Sequence, residues 1–405
     1  MKQLTKSKIS TAVFSFLTGV RINLVGQLYG SELLAIATFP FYKVRRIFSK
    51  YPDMPKMLLY YSVLLFSLMF SDFYNGTQST DYLRGWASVF FSFMSFLFLV
   101  INFDKAPKNI IYFLIFFSIS KMLFGESVEL QSFDQDNYFK AKIANFVNPL
   151  VIVLAYYLST IKKPLFAIYL LLFYGLFNIV LDARSNSLAF FISFFLLFIK
   201  VKKVKLKKGN VIVLSVLSLI TFYGLYAFYV SEVLSGAIGG INAQQITMAK
   251  NPYNPIELLY YGRAETFIAF DAIAEKPFFG HGSWAKDTTG KYNLILRNIL
   301  NLNDSDSTLI PGHSVILTAW LWAGLTGFLA ALWFYVLLIK RYFKIYKLDG
   351  DIAMLTIITP LFIDLVWNFI FSPFGHLRET IPQIAAIIIV YSYTVQQSAK
   401  KQFNT

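Results

Sequence analysis

The sequence predicts an all-α polytopic membrane protein with about twelve transmembrane helices, and three observations carry that expectation. Of 405 residues, 56% are hydrophobic and only 15% are charged, against roughly 25% charged in a soluble domain. Mean hydropathy is +0.56, and 43 Phe with 25 Tyr make the apolar surface bulky and aromatic, as suits lipid-facing helices and their interfacial belts. Among the 37 Lys and Arg, short clusters stand between apolar runs, at Lys43/Arg45/Arg46, Lys162-Lys163, Lys200 to Lys208 and Lys340-Arg341, and alternate with neutral or acidic loops in the positive-inside pattern. That distribution assigns the net charge of +15 to membrane topology and not to nucleic acid. The absence of cysteine excludes disulfides, thiol catalysis and Cys-based metal sites.

A helix needs roughly 17 to 25 apolar residues to cross the hydrocarbon. The candidates are 10–24, 28–43, 57–72, 84–103, 109–124, 146–161, 164–182, 185–200, 210–231, 312–339, 352–370 and 377–396, with the first pair also readable as one kinked segment followed by an interfacial helix. Charge bias places both termini in the cytoplasm of an inner-membrane protein. The chain 1–405 is expected to form one integral membrane domain. Two outer loops exceed a turn: 125–145, carrying Glu126, Glu129, Asp134 and Asp136, and the larger 232–311. In the second, Ile256, Leu259, Tyr260, Arg263, Phe267, Phe270 and Ala274 recur at helical spacing, so Arg263 is expected to interrupt an apolar stripe.

Chemistry is sought on the outer side. Arg263 reads either as a snorkelling or ion-paired structural residue, with Glu265 or Asp271 in reach, or as an anion-capturing fork suited to a lipid-linked phosphate. His313 follows Pro311-Gly312 and opens a long apolar run. There it is either an interfacial cap or a neutral imidazole beside an anion site at a helix N-terminus, able to take a hydroxyl proton. Arg184 in Asp182-Ala183-Arg184-Ser185-Asn186-Ser187, Arg378 in His376-Leu377-Arg378-Glu379, and the remaining histidines His281 and His376 also fall outside. Glu32 and Asp364 lie within spans, where an ionisable residue needs a partner or a water-filled cavity and can mark a transport pathway. No nucleotide-binding or metallohydrolase motif is present.

Arg263 followed by Pro277-Phe278-Phe279-Gly280-His281-Gly282, then Gly312-His313-Ser314 leading into Trp322-Ala323-Gly324-Leu325-Thr326-Gly327, with Asp182 to Ser187 several spans earlier, resembles the bacterial O-antigen polymerase and O-antigen ligase superfamily. The likeness covers roughly 182–340. Phe267 stands where the family often has Trp, and Ser314 where it often has Asn. The resemblance implies a GT-C-like fold and a metal-independent glycosyltransferase, without cofactor, acting on undecaprenyl-pyrophosphate-linked oligosaccharide at the periplasmic face. It implies that Arg184 and Arg263, with Arg378 in second rank, grip the pyrophosphate and that His313 assists the incoming hydroxyl. His376, His281 and Glu265 are weaker site candidates. The implied partners are the lipid-linked glycan, membrane lipids and a chain-length regulator. Polymerase is the favoured reading, with ligase and lipid-linked oligosaccharide flippase as alternatives.

Overall fold

The computed structural model describes residues 6–23, 26–125, 139–181, 183–203, parts of 216–237, 246–300 and 308–403. The chain is an all-α membrane protein, and among the described residues five helices are long and apolar enough to cross a bilayer. These are α4 (Met54–Asn75), α5 (Ser79–Lys105), α6 (Ile110–Phe124, with its leading turn from Pro107), α13 (Val315–Leu348) and α14 (Ile352–Phe371). Three shorter apolar helices, α7 (Ala144–Thr160), α8 (Pro164–Val180) and α9 (Arg184–Val201), stand beside them, and α16 (Ile381–Phe403) closes the bundle. The expected span 210–231 and the acidic residues of 126–136 lie largely outside the described residues.

The first two expected spans are corrected. In place of 10–24 and 28–43 stand α1 (Lys6–Phe16), a hairpin pairing β1 (Arg21–Asn23) with β2 (Gln27–Tyr29), and α2 (Gly30–Ala37). At 1.5 Å per residue, 11 and 8 residues rise about 16 and 12 Å, well short of the roughly 30 Å hydrocarbon core. Satisfied backbone groups explain how so short a pair is tolerated: Ser15 donates to the Phe113 carbonyl on α6, and the Gly19 amide donates to Ser120 Oγ. The short α3 (Val44–Lys50) follows at the opposite end of the molecule.

Two ends are distinguishable by their pairings. At the basic end Asp104 gathers Lys50, Arg46 and Tyr51, Asp53 receives Arg341, and Lys200 reaches the Tyr346 carbonyl. The loop end collects Asn75 to Gln78, the helices α10 (Pro255–Gly262), α11 (Ala264–Glu275) and α12 (Lys291–Leu300), the start of α13, and the four-residue α15 (His376–Glu379). Between the ends the core is aromatic. Tyr342 stacks on Phe362 at 3.7 Å, and Tyr60 on Phe334 at 4.1 Å.

Helix α13 is broken. Gly324 has φ +69° and ψ −167° inside it, and a break within an apolar bundle leaves backbone groups that lipid cannot hydrate. The turn after α11 supplies the partners. The amides of His281 and Gly282 donate to the carbonyls of Leu321 (2.7 Å) and Trp322 (3.1 Å), and Leu325 N–H donates to the Phe278 carbonyl (3.2 Å). Gly280 (φ +74°) and Gly324 face each other so closely that a Cβ on Gly280 would lie 2.6 Å from Gly324 N. The turn is also tied to α4. Asp72, buried, accepts from Ser283 N (2.6 Å), Ser283 Oγ (2.8 Å) and Trp86 Nε1 (2.7 Å), while Asn75 donates to the Gly280 carbonyl and receives Lys276 Nζ.

A Cβ at Gly324 would collide with the Phe278 carbonyl, whereas Gly290, at the same φ of +69°, has nothing within 4 Å. Left-handed backbone alone costs an alanine about 1 kcal/mol. Gly324→Ala is therefore expected to lower the melting temperature of the detergent-solubilised protein far more than Gly290→Ala, and equal melting temperatures would show that the splice is not tight.

Candidate functional site

Arg263 sits on an elbow. Its φ of −143° and ψ of 37° end α10 and begin α11, so the single helix expected over 256–274 is two. The expected stripe is corrected with it. The buried face of α11 is Ala264, Ile268, Ala269, Ala272 and Ile273, while Phe267, Phe270 and Ala274 are exposed. Small residues let α11 lie close against α13, and the bulky ones are turned away. Glu265 stands on the first turn of α11, where the helix N-terminus favours a carboxylate.

The Arg263 guanidinium, half-buried, lies 5.6 Å from the Trp367 ring and 5.5 Å from the Phe371 ring. These two rings are one turn apart on α14 and 4.7 Å from each other. A guanidinium over aromatic faces is held by their quadrupoles. Asp364, at i−3 and i−7 from them, shares that face one to two turns deeper. Its carboxylate accepts from Asn368 Nδ2 (2.9 Å), whose Oδ1 receives Ser372 Oγ (2.8 Å), a polar ladder along the end of α14.

His313 arrives at the same turn of α14. It is the residue before the N-cap of α13, and Ser314 is the cap: its Oγ accepts from Leu317 N (3.3 Å) and donates to the Phe369 carbonyl (3.3 Å). The structure thus brings Arg263 over Trp367 and Phe371 and ties Ser314, the residue after His313, to Phe369 on the same helix end. Ser314, where an amide side chain was the family expectation, acts as a cap. Arg184 opens α9 at the loop end, and α9 packs along α14 and α8. Its pairing with Asp182 falls outside the described residues. His376 opens α15, and its side chain is likewise outside them.

Arg378 is placed differently. Nε and Nη2 donate to both carboxylate oxygens of Glu32, Nη2 also donates to the Gln27 carbonyl, and the rings of Tyr29 and Phe91 flank the guanidinium. Arg378 and Glu32 expose only 13% and 1% of their side chains, so the fork expected to face pyrophosphate is closed on a buried carboxylate. Glu32 correspondingly has the partner that an ionisable residue within a span requires. Its other role is local, accepting from Tyr29 N at 2.9 Å to cap α2.

His281 belongs to the splice. Its Nε2 lies 2.7 Å from the Ala272 carbonyl, which fixes the proton on Nε2, and burial pushes its pKa down, against a smaller rise from that hydrogen bond. The ring clamps the end of α11 to the turn and is spoken for. Sequence reasoning missed Trp367, Phe371 and Asn368. The available signal was an aromatic pair at i, i+4 with a buried amide beside Asp364 at the end of a span. Among the described residues no three His, Asp or Glu side chains gather as a metal would require. Compared with models of known protein families and with curated protein sequences, the chain matches none.

Two predictions follow from these pairings. Because folded His281 binds its proton less readily than the unfolded chain, unfolding takes up a proton below the ordinary value near 6.5. Stability should be complete above that pH and fall below it, and His281→Gln, which keeps a donor for Ala272, should flatten thermal melts between pH 5 and 8. An unchanged slope would remove His281 as its source. For the buried pair, Arg378→Gln or Glu32→Gln alone should each cost about 3 kcal/mol or more, because the survivor is left charged and unpaired. The double variant should recover part of that loss in urea or thermal unfolding, and simple additivity would mean the pair is not coupled.

Proposed function

We propose that the chain is an O-antigen polymerase, a glycosyltransferase that joins undecaprenyl-pyrophosphate-linked oligosaccharide repeat units at the periplasmic face of the bacterial inner membrane, with the loop end outward and both termini cytoplasmic. The observation that supports the reading is Arg263 laid over Trp367 and Phe371 at the end of α14, where Ser314, the residue after His313, donates to the Phe369 carbonyl.

In this reading Arg263 and Arg184 hold the donor pyrophosphate. A guanidinium stacked on rings presents its N–H edge in plane, the direction from which phosphate oxygens bind. The acceptor sugar hydroxyl of a second lipid-linked unit attacks the donor anomeric carbon. The bond from that carbon to the pyrophosphate oxygen breaks, undecaprenyl pyrophosphate leaves with the bonding electrons, and His313 takes the hydroxyl proton. Arg263 and Arg184 stabilise the charge gathering on the leaving group, and the membrane aligns the two lipid-anchored substrates so that the step is nearly unimolecular. No metal or cofactor is assigned a part, and a chain-length regulator is the expected protein partner. Arg378 is left out of the pyrophosphate set because Glu32 already holds it.

Deletion of the gene tests the class. Core capped with a single repeat on lipopolysaccharide gels is the expected result; bare core with accumulated long lipid-linked glycan would make the chain a ligase, and repeat units trapped on the inner leaflet a flippase. Complementation tests the site. Arg263→Ala and His313→Ala should each cut chain extension at least about a hundredfold while the protein accumulates normally, and wild-type ladders from both would end these roles.

A further inference from the structure

Independently of the glycosyltransferase reading, we infer that the groove between α4 and α13 at the basic end is a binding site for an anionic phospholipid, with its phosphate among Lys56, Lys340 and Arg341. The groove has a volume of about 240 Å³ and is lined by these three residues with Trp333, Val336 and Leu337.

Its charge is built and not incidental. Asp53, with 8% of its side chain exposed, receives Arg341 Nη2 at 2.5 Å and Lys56 Nζ at 3.3 Å. One carboxylate against three cations leaves the groove at +2, so the pair of bonds orients Arg341 and Lys56 without neutralising the pocket. Arg341 Nε is buried and has no hydrogen-bond partner within the chain, and such a donor costs free energy until an acceptor arrives. Lys340 is exposed at the rim.

What separates a lipid from a free anion is the wall that continues from the cations. On α13, Trp333 and Leu329 follow Lys340 toward the middle of the helix at i−7 and i−11 and are 38% and 53% exposed. On α4, Leu59 and Phe66 follow Lys56 at i+3 and i+10 and are 55% and 67% exposed. Both rows leave the same cationic mouth and run along adjacent packed helices. A phosphate at the mouth would lay its acyl chains along them, with Trp333 at the headgroup boundary where an indole is favoured. Free phosphate would leave both rows unused. Basic pockets between spans on the cytoplasmic side bind such headgroups.

The test is a titration of the purified full-length chain in neutral detergent with cardiolipin, phosphatidylcholine or inorganic phosphate, read by native mass spectrometry. Cardiolipin should bind with retained stoichiometry, and phosphatidylcholine and millimolar phosphate should not compete. Each lysine removed should weaken cardiolipin about fivefold, and Lys56→Gln with Lys340→Gln together about thirtyfold. Lys162→Gln with Lys163→Gln, exposed cations elsewhere on the same end, should leave the affinity unchanged, and equal loss there would mean diffuse attraction and no site. Equal binding of phosphatidylcholine, or displacement of cardiolipin by inorganic phosphate, would overturn the lipid assignment. Arg341 is spared because Asp53 depends on it, and both lysine variants should melt within a few degrees of wild type without lipid.

Discussion

The loop end depends on one repair. Opening α13 at Gly324 exposes carbonyls and an amide that an apolar surround cannot solvate, and each such group unmet costs several kcal/mol. The turn from Pro277 to Gly282 meets them with main-chain bonds, which only a chain free of Cβ atoms at 280 and 324 can approach closely enough to form. The turn is in consequence part of the helix wall. What hangs on it, α11 before and the loop to α12 after, inherits a fixed position. Asp72 sets a second fastening by turning three donors inward from two segments far apart in sequence.

From that anchor the position of Arg263 follows. Helix α11 is pinned at its far end by Lys276, Trp320 Nε1 on the Pro277 carbonyl and the His281 ring on Ala272. Its small-residue face lies on α13, so its first residue cannot wander from the end of α14. The break at 262–263 then lets α10 leave in another direction while the guanidinium stays over Trp367 and Phe371. Ser314 draws the entrance of α13 onto Phe369 by an equally local device. Two segments separated by fifty residues are each tied separately to the same helix end.

The sequence made the long spans readable, since composition and length alone decide whether a helix can cross hydrocarbon. Expected and observed ends of α4, α5, α6 and α14 agree within a few residues, as do those of the shorter helices α7, α8 and α9. The first 43 residues were misread because hydropathy cannot distinguish a span from two short helices whose backbone ends are satisfied by serines of a neighbour. Ser15 and Ser120 carry that information and look unremarkable in sequence. The stripe around Arg263 had the right period and the wrong side: periodicity finds an apolar face but in a membrane protein does not say whether protein or lipid covers it. Gly280, Gly282 and Gly324 were visible as a motif, and their reason, a backbone splice, was not, because it needs both strands of the contact at once.

Arg378 and Arg263, both at the loop end, show how a fold positions a guanidinium. Arg378 meets Glu32 edge on, two donors to two oxygens, in a setting where the carboxylate is 1% exposed. Edge-on pairing consumes the fork, and the desolvation already spent on both ions makes exchange for another anion unfavourable. Arg263 lies over two rings. The Trp367 and Phe371 rings, 5.6 and 5.5 Å from its guanidinium carbon, stabilise that cation through their π surfaces. Both guanidiniums lie beside rings, but that of Arg378 is fastened to a buried carboxylate as well, which is why the elbow at 263 and not the paired arginine at 378 anchors the proposed pyrophosphate site.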